Sequence, residues 1–503
     1  MNYSFNIVIG GELPDVCLPS NSLLIRLPCE VGHTDRYILA PKTLDECLLY
    51  LRHRYADHAA IATLAGTRIV ADHPIEGTGD AVDPLTTPQS PAAMREIWAP
   101  AIEGKLAELL DDLGNCMVDS WRGAVHVIKN SAAIAASPSS RELMYAHAGE
   151  IALVIGSGPS ASDYFADILR IRKGVRIFCA DTILGGLLAA GIVPDYVCAI
   201  ERESAITKVL STHGSCGATL IASPVIQPEC VANWRGNTLF WWGADDLYRW
   251  IDPSIEGMPS GRSAGSLAVA AALHAGCSYT YLIGHDLSFR HGASHSVAAH
   301  SLAHLAAKKA DDEAHPADIH HKRVQVEANH GGTVETNGVW NLVRGDIEGI
   351  IANHPRWKVF NVCDYHGARI AGAPVGSLPE NPMPLMPRQR LVASGITPPA
   401  DRLPDLRAAL MRATGALESV RGMLTTGAKL DDIANSMRAS CIFGQDNAIL
   451  FQYISRALYG NLTLRLHLDK LRGIPRDTST RNVLEIAVNS LSAIVDLMKV
   501  ELP

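Results

Sequence analysis

The chain has no apolar run long enough to cross a bilayer. The longest, around Leu267 to Ala272, falls far short of the roughly 20 residues that a spanning helix needs. Its first residues, Met1-Asn2-Tyr3-Ser4-Phe5-Asn6, lack the basic and apolar regions of a secretory signal. The eleven cysteines show no CxxC pair and no framework spacing, and Cys198, Cys216 and Cys230 stand too far apart for a zinc ribbon. Buried free thiols in a reducing cytoplasm are the expectation. There is no basic surplus either: the formal net charge is -8, which argues against a dedicated nucleic-acid binder while leaving room for a local basic groove.

What is present is ordinary globular composition, 47% hydrophobic and 19% charged over 503 residues, enough for about three cores at roughly 100–200 residues each. Residues 1–120 alternate short apolar runs (Leu23–Leu27, Tyr37–Ala40, Ala60–Thr63, Thr67–Val70) with turn residues, which predicts a small α+β domain. A Pro/Gly/Thr-rich stretch, Asp72 to Pro91, follows. Residues 121–385 interleave strand-length apolar runs with helical patterns: Ile151–Ile155, Arg176–Cys179, Tyr196–Ile200, Thr219–Ala222, Thr238–Trp242, Thr280–Ile283 and Lys358–Val362. Continuous apolar strands alternating with helices predict an α/β, Rossmann-like, mostly parallel sheet covered on both faces. Prolines from Ala373 to Pro404 read as an extended connector. In residues 386–503 the period becomes helical, with Leu484, Ala487, Val488, Leu491, Ile494, Val495 and Met498 on one face. With Lys429–Phe443, Leu462, Leu466 and Leu468 this predicts a C-terminal helical bundle.

The sharpest local feature follows the strand at Ile151–Ile155: Gly156-Ser157-Gly158-Pro159-Ser160, then a helical stretch from Asp163. Glycine lets backbone approach a ligand closely, proline suits a first helical turn, and amides at a helix start attract phosphate. The loop is neither G-x-G-x-x-G nor a Walker loop, because no Lys-Ser/Thr follows. A plain strand-to-helix turn stays open beside the phosphate reading. Asp181, about 25 residues after the first glycine, and Glu201 end the next two strands. In doubly wound sheets that edge binds ligands, and an acidic side chain there reaches a ribose hydroxyl.

Read together, Gly156–Ser160, Ala180-Asp181-Thr182 and Gly191–Tyr196 resemble the central domain of the motility accessory factor (Maf) flagellin glycosyltransferases. Ser263-Ala264-Gly265-Ser266, Ala275-Gly276-Cys277, Leu282–Leu287, Ser294-His295, Val326–Asn329 and Gly367–Gly372 extend the resemblance over some 220 residues. The stretch from Ser260 to Phe289 is also similar to bacterial CMP-sialic-acid-dependent sialyltransferases. The resemblance implies transfer of a nonulosonic acid, of pseudaminic or legionaminic type, from a CMP-activated donor to Ser or Thr of flagellin, needed for flagellar assembly and motility. It implies a donor site at Gly156, Ser157, Gly158, Pro159, Ser160, Asp181, Glu201, Ser263, Gly265, Ser266, Gly284 and Asp286. No cofactor is implied: the leaving group carries a single phosphate, so a divalent metal is not required. Three positions depart from the family: Ala161, Ala328 and His285, the last in place of a usual Gln.

For the base the chain offers a histidine-rich segment: His291, His295, His300, His304, His315, His320 and His321. Imidazole titrates near neutrality, which suits general-base work. His295, in the family's Ser-His motif, is favoured. His291/His295 and His300/His304 are i, i+4 pairs that a helix would turn into metal ligands, but no H-E-x-x-H and no nearby cysteine completes a site, so none is assigned. Lys308-Lys309 and His320–Arg323 form a modest basic patch, either a solvated face or a contact for donor or acceptor. Two other functions remain open. One is a hydroxymethyldihydropterin diphosphokinase-like enzyme, which shares the Gly-x-Gly-Pro-Ser domain and would use ATP and Mg²⁺. The other is a non-catalytic flagellin-binding assembly factor.

Overall fold

The structure, a computed structural model, describes residues 117–299 and 323–385 apart from 203, 244, 245, 253, 254 and 364. It also describes most of 392–433, residue 450, residues 476–501 and five strands between residues 6 and 84. The chain divides into two compact units, residues 122–403 and residues 1–121 together with 404–502.

The second of these contains a five-stranded sheet of β1 (Asn6–Gly10), β2 (Ser22–Arg26), β3 (Ile38–Leu39), β4 (Arg68–Ala71) and β5 (Val82–Pro84), in the order β3-β2-β1-β4-β5. Every pairing in it is parallel. Three strands fall on expected apolar runs; β1 and β5 do not. β5 sits in the Pro/Gly/Thr-rich stretch read as loop, and β1 is the central strand although it is only five residues long. The same unit holds helices Leu403–Thr425 and Arg476–Glu501. Ala487, Val488, Leu491, Ile494, Val495 and Met498 are buried, as the 3.6-residue period predicts. Val488 packs with Val420, Leu424 and Ile433, and the Arg481 guanidinium donates to the Leu424 and Ala428 carbonyls at 3.3 and 2.8 Å. Most of Lys429–Phe443, and Leu462, Leu466 and Leu468, lie outside the described residues.

The larger unit is a seven-stranded parallel sheet flanked by helices. Its strands are β6 (Ile151–Ile155), β7 (Arg176–Ala180), β8 (Tyr196–Ala199), β9 (Thr219–Ala222), β10 (Thr238–Phe240), β11 (Tyr279–Ile283) and β14 (Lys358–Asn361). The order is β10-β9-β8-β7-β6-β11-β14, so all seven expected runs pair in one sheet. All residues of β7 and β8 are buried, and apart from Arg176 at the start of β7 they read as unbroken apolar runs for that reason.

Helix Ala264–His274 lies across β6, β7 and β8. Its residues Leu267 to Leu273 are all buried, and its alanines let the helix approach the strands closely while its other side meets helix Gly338–Ala352. A two-stranded antiparallel hairpin, β12 (Arg323–Glu327) and β13 (Thr333–Asn337), precedes that helix. Of the proline-rich connector expected to be extended, residues 373–385 contain no helix and are fastened down, whereas Pro399–Arg402 forms a 3-10 helix. Leu385 N donates to the Lys173 carbonyl, Arg170 to the Glu380 carbonyl, and a Cβ on Gly174 would lie 2.6 Å from Pro382.

Candidate functional site

The order of the sheet creates the site. From β6 the chain steps outward through β7, β8, β9 and β10, then returns to lay β11 on the other side of β6. The loops after β6 and β11 therefore flank the topological switch point, where doubly wound sheets bind ligands in a crevice at the carboxyl ends of the strands. The register pairs Ile155 with Ile283, so Gly156–Ser160 and Gly284–Asp286 emerge side by side.

These two turns are built for each other. Gly156 N donates to Ile283 O and Gly158 N to Gly284 O, both at 2.8 Å. The buried Asp286 accepts from Ser160 N at 3.2 Å and from Ser160 Oγ at 3.0 Å. A Cβ on Gly158 would lie 2.2 Å from Asp286 Oδ2 and 2.6 Å from Gly284 O. Gly284 has φ +65°, and its Cβ would meet Gly156 O at 2.7 Å. The glycines are thus required by the neighbouring turn. Pro159 has no amide, so among the described residues Ser157 N is the loop amide left without a partner.

Ser263, Gly265 and Ser266 reach the same place. Ser263 caps helix Ala264–His274: its Oγ accepts from Ser266 N, and its own amide donates to Ser266 Oγ, each at 3.0 Å. Both hydroxyls serve the cap. The buried His285 ring lies between this helix start and the glycine loop. Its Nδ1 is 3.2 Å from Ile283 O, its Nε2 3.5 Å from Gly265 O, and its Cε1 would be 3.2 Å from a Cβ on Gly156. Burial lowers the His285 pKa and outweighs both carbonyls, so the ring is neutral.

Asp181 stands one strand along, at the end of β7. Burial pushes its carboxyl up to about 7; the Thr182 amide, donating at 2.7 Å, opposes the rise and the Glu201 charge adds to it. Glu201, at the end of β8, is exposed and accepts from the Arg202 amide.

His295 is brought to the glycine loop by its neighbour. Ser296 N donates to Ser157 O at 2.9 Å, Ser296 Oγ bonds Ser162 Oγ at 3.0 Å, and Ala298 O fits where a Cβ on Gly186 would be 2.4 Å away. His295 Nδ1 is 3.0 Å from Ser294 Oγ, and the ring meets Trp340 edge-on at 6.0 Å. Residues 291–299 are turns and bends, so His291 and His295 do not share a helical face. His291 has φ +51° and lies 4.8 Å from the His366 ring. Among the described residues no three His, Cys, Asp or Glu are grouped to hold a metal. His300, His304, His315, His320, His321, Lys308, Lys309 and Lys322 lie outside them, and no described helix is long and apolar enough to cross a membrane.

Sequence reasoning missed Trp340, Phe289 and the Arg290–Asp163 ion pair, which line the His295 side of the crevice. Trp340 comes from the first turn of helix Gly338–Ala352, where its amide donates to the Asn337 cap at 2.8 Å. That this cap delivers a ring to His295 is a long-range contact that no local pattern records.

Residues 126–292 match the family described as 6-hydroxymethylpterin diphosphokinase MptE-like. No curated protein matches the chain. The structure resembles that of a Maf glycosyltransferase from Magnetospirillum magneticum AMB-1, with TM-score 0.58 and 17% identity over 92% of this chain and 70% of that one. In fold, therefore, this chain is similar over nearly its whole length to a Maf glycosyltransferase, and its central sheet carries the similarity to the MptE-like family.

Proposed function

We propose that the protein is a glycosyltransferase that moves a nonulosonic acid from a CMP-activated donor to a Ser or Thr hydroxyl of flagellin in the cytoplasm. The observation that carries this reading is the extent of the likeness: it spans 92% of the chain and both compact units, far beyond the nucleotide-binding sheet. In this reading the crevice between β6 and β11 takes the nucleotide. Ser157 N faces the phosphate, and Asp181, with Glu201 beside it, takes the ribose. Gly156, Gly158, Pro159, Ser160, Gly284 and Asp286 hold the two turns together, and Ser263, Gly265 and Ser266 fix the helix start behind His285.

In the reaction the bond between the anomeric carbon and the CMP phosphate oxygen breaks, and its electron pair leaves on that oxygen. The acceptor oxygen bonds the anomeric carbon and its proton passes to His295. A proton on Nδ1, donated to Ser294 Oγ, puts the lone pair on Nε2, which is what a base needs. No divalent metal is invoked, since one phosphate leaves.

The test is CMP release from a CMP-nonulosonate with flagellin present, read with the intact mass of the flagellin. Transfer raises that mass by one sugar per site; release without a mass change, or neither, overturns the proposal. His295→Ala should lower turnover by about 10²–10⁴-fold with CMP affinity intact, and should abolish the rise of rate with pH that the wild type owes to its neutral ring. A His295→Ala enzyme with wild-type turnover reassigns the base.

A second reading is favoured by the match over residues 126–292: an ATP-dependent diphosphokinase of the 6-hydroxymethylpterin type. It predicts AMP formation from ATP, Mg²⁺ and 6-hydroxymethyldihydropterin without flagellin, and the absence of AMP removes it.

A further inference from the structure

We infer that the cavity beside β14, lined by Asn329 and the turn Arg369–Val375, is a subsite for the carboxylate-bearing sugar ring of the donor, held through Asn329 Nδ2 and the Arg369 guanidinium. This rests on the proposed transfer from a CMP-sugar acid.

Two stretches that the nucleotide crevice leaves unused, Val326–Asn329 and Gly367–Gly372, meet here. Ala328 bridges Ala368, and Asn329 N donates to Gly367 O at 2.9 Å. The same segment is tied to the crevice, because Ala368 N donates to Asp286 O at 2.8 Å. The Asn361–Val375 bridge joins the other wall of the cavity to β14, the strand beside β11.

The cavity measures about 270 Å³. This is far more than a water molecule occupies and too little for a whole nucleotide sugar, but it suits a single substituted ring. Its polar groups are donors. Asn329 Oδ1 accepts from Asn361 Nδ2 at 3.2 Å, which leaves Nδ2 as the other end of the amide, buried and with no partner among the described residues. An unbonded buried amide donor is costly to the fold, a cost an acceptor in the cavity would remove. Arg369 Nη1 binds both Glu327 oxygens at 2.7 and 2.8 Å, while its Nε and Nη2 meet no acceptor among the described residues. Arg369 and Glu327 are 58% and 59% exposed, so this ion pair is solvent-screened and yields easily. An unpaired amide and a guanidinium with open donors suit a planar carboxylate. Ile370, Ala371, Ala373, Pro374 and Val375 supply aliphatic wall for acyl or methyl groups on the ring.

The test titrates the full-length protein with CMP, with free N-acetylneuraminic acid and with neutral N-acetylmannosamine. Asn329→Asp keeps the acceptor for Asn361 but turns a carboxylate toward the ligand. Val375→Trp fills the cavity from its exposed rim without touching Asn329. The wild type should bind the sugar acid and not the neutral sugar. Each variant should lose at least about tenfold in sugar-acid affinity, the scale of introducing a like charge or a steric block, with CMP affinity unchanged. The subsite is overturned if the wild type does not bind the sugar acid, if it binds N-acetylmannosamine as well, or if both variants bind like wild type. It is also overturned if CMP affinity falls together with sugar-acid affinity. If sugar-acid binding behaves as expected while the wild type fails to bind CMP, the subsite stands and the CMP-donor reading falls.

Discussion

The two edges of the central sheet handle charge in opposite ways. At the amino edge, buried Arg176 donates from Nε to Glu150 at 2.7 Å and from Nη1 to Asp195 at 3.3 Å. Asp195 Oδ2 also accepts from Ile177 N and sits 3.1 Å from Arg172, and Glu150 lies 3.1 Å from His147 Nδ1. Burial would lower the Arg176 pKa, but its two carboxylates outweigh that and raise it. At the carboxyl edge, Asp181 is as buried yet has a backbone amide and no cation among the described residues, and its pKa rises to about 7. Charges at the amino edge are matched within the fold; at the carboxyl edge Asp181 is a buried carboxyl with no matching cation among the described residues. Perturbed carboxyls of this kind mark functional edges, as ion networks mark structural ones.

Arg176→Met should break the contrast most severely. It leaves Asp195 and Glu150 without their cation, and removing one member of a buried ion network costs about 3–5 kcal/mol. The denaturation midpoint should fall accordingly while nucleotide affinity of the folded protein holds. A midpoint near wild type would mean that the amino edge is not the structural one.

Asp181→Asn should act in the opposite direction on stability. The folded carboxyl titrates at about 7 and the ordinary one at 3.8, so the folded state keeps its proton longer. Wild-type stability from this group therefore declines as pH rises from about 4 to 7, and the penalty is constant above. The neutral amide escapes that penalty. Its stabilisation at pH 8 should exceed that at pH 4 by on the order of 4 kcal/mol, measured by denaturation at both pH values, with weaker nucleotide binding. Equal effects at the two pH values would show that the carboxyl is not perturbed.

The smallest effect belongs to His285→Gln. Burial lowers the pKa of His285, as it does for His126 and His274, so the unfolded chain takes up protons below pH 6.5 that the folded chain refuses. Stability from these rings is present above that pH and is lost as pH falls. Replacing His285 should flatten the acid limb only in part, because the other two rings keep theirs. An unchanged acid limb would place His285 in solvent contact.

Much of the fold was legible because burial leaves a mark on composition. β7 and β8 are covered on both faces and contain nothing but residues that tolerate it, so their runs predicted strands within a residue or two. The C-terminal stripe from Leu484 to Met498 was legible for the equivalent helical reason. β1 and β5 were not legible: β1, Asn-Ile-Val-Ile-Gly, has only three apolar residues between a polar residue and a glycine, and β5 is Val-Asp-Pro inside a turn-rich stretch. An apolar run that short carries no strand signal.

The sequence by itself determined which segments are strands and that glycines, a proline and serines follow β6. Only the tertiary structure decided what those residues face. A phosphate loop and a tight turn share one composition, and the choice between their uses depends on β11 returning to lie beside β6 rather than beyond β10. That return brings Asp286 to 2.2 Å from where a Gly158 Cβ would stand, and gives Ser160 a partner 126 residues away. Likewise His295 reaches the loop through the Ser296–Ser157 bond, and Asn329 meets Arg369 through the Ala328–Ala368 bridge. Local pattern sets secondary structure because its forces act over a few residues, whereas a site is assembled by contacts whose sequence separation no local pattern records.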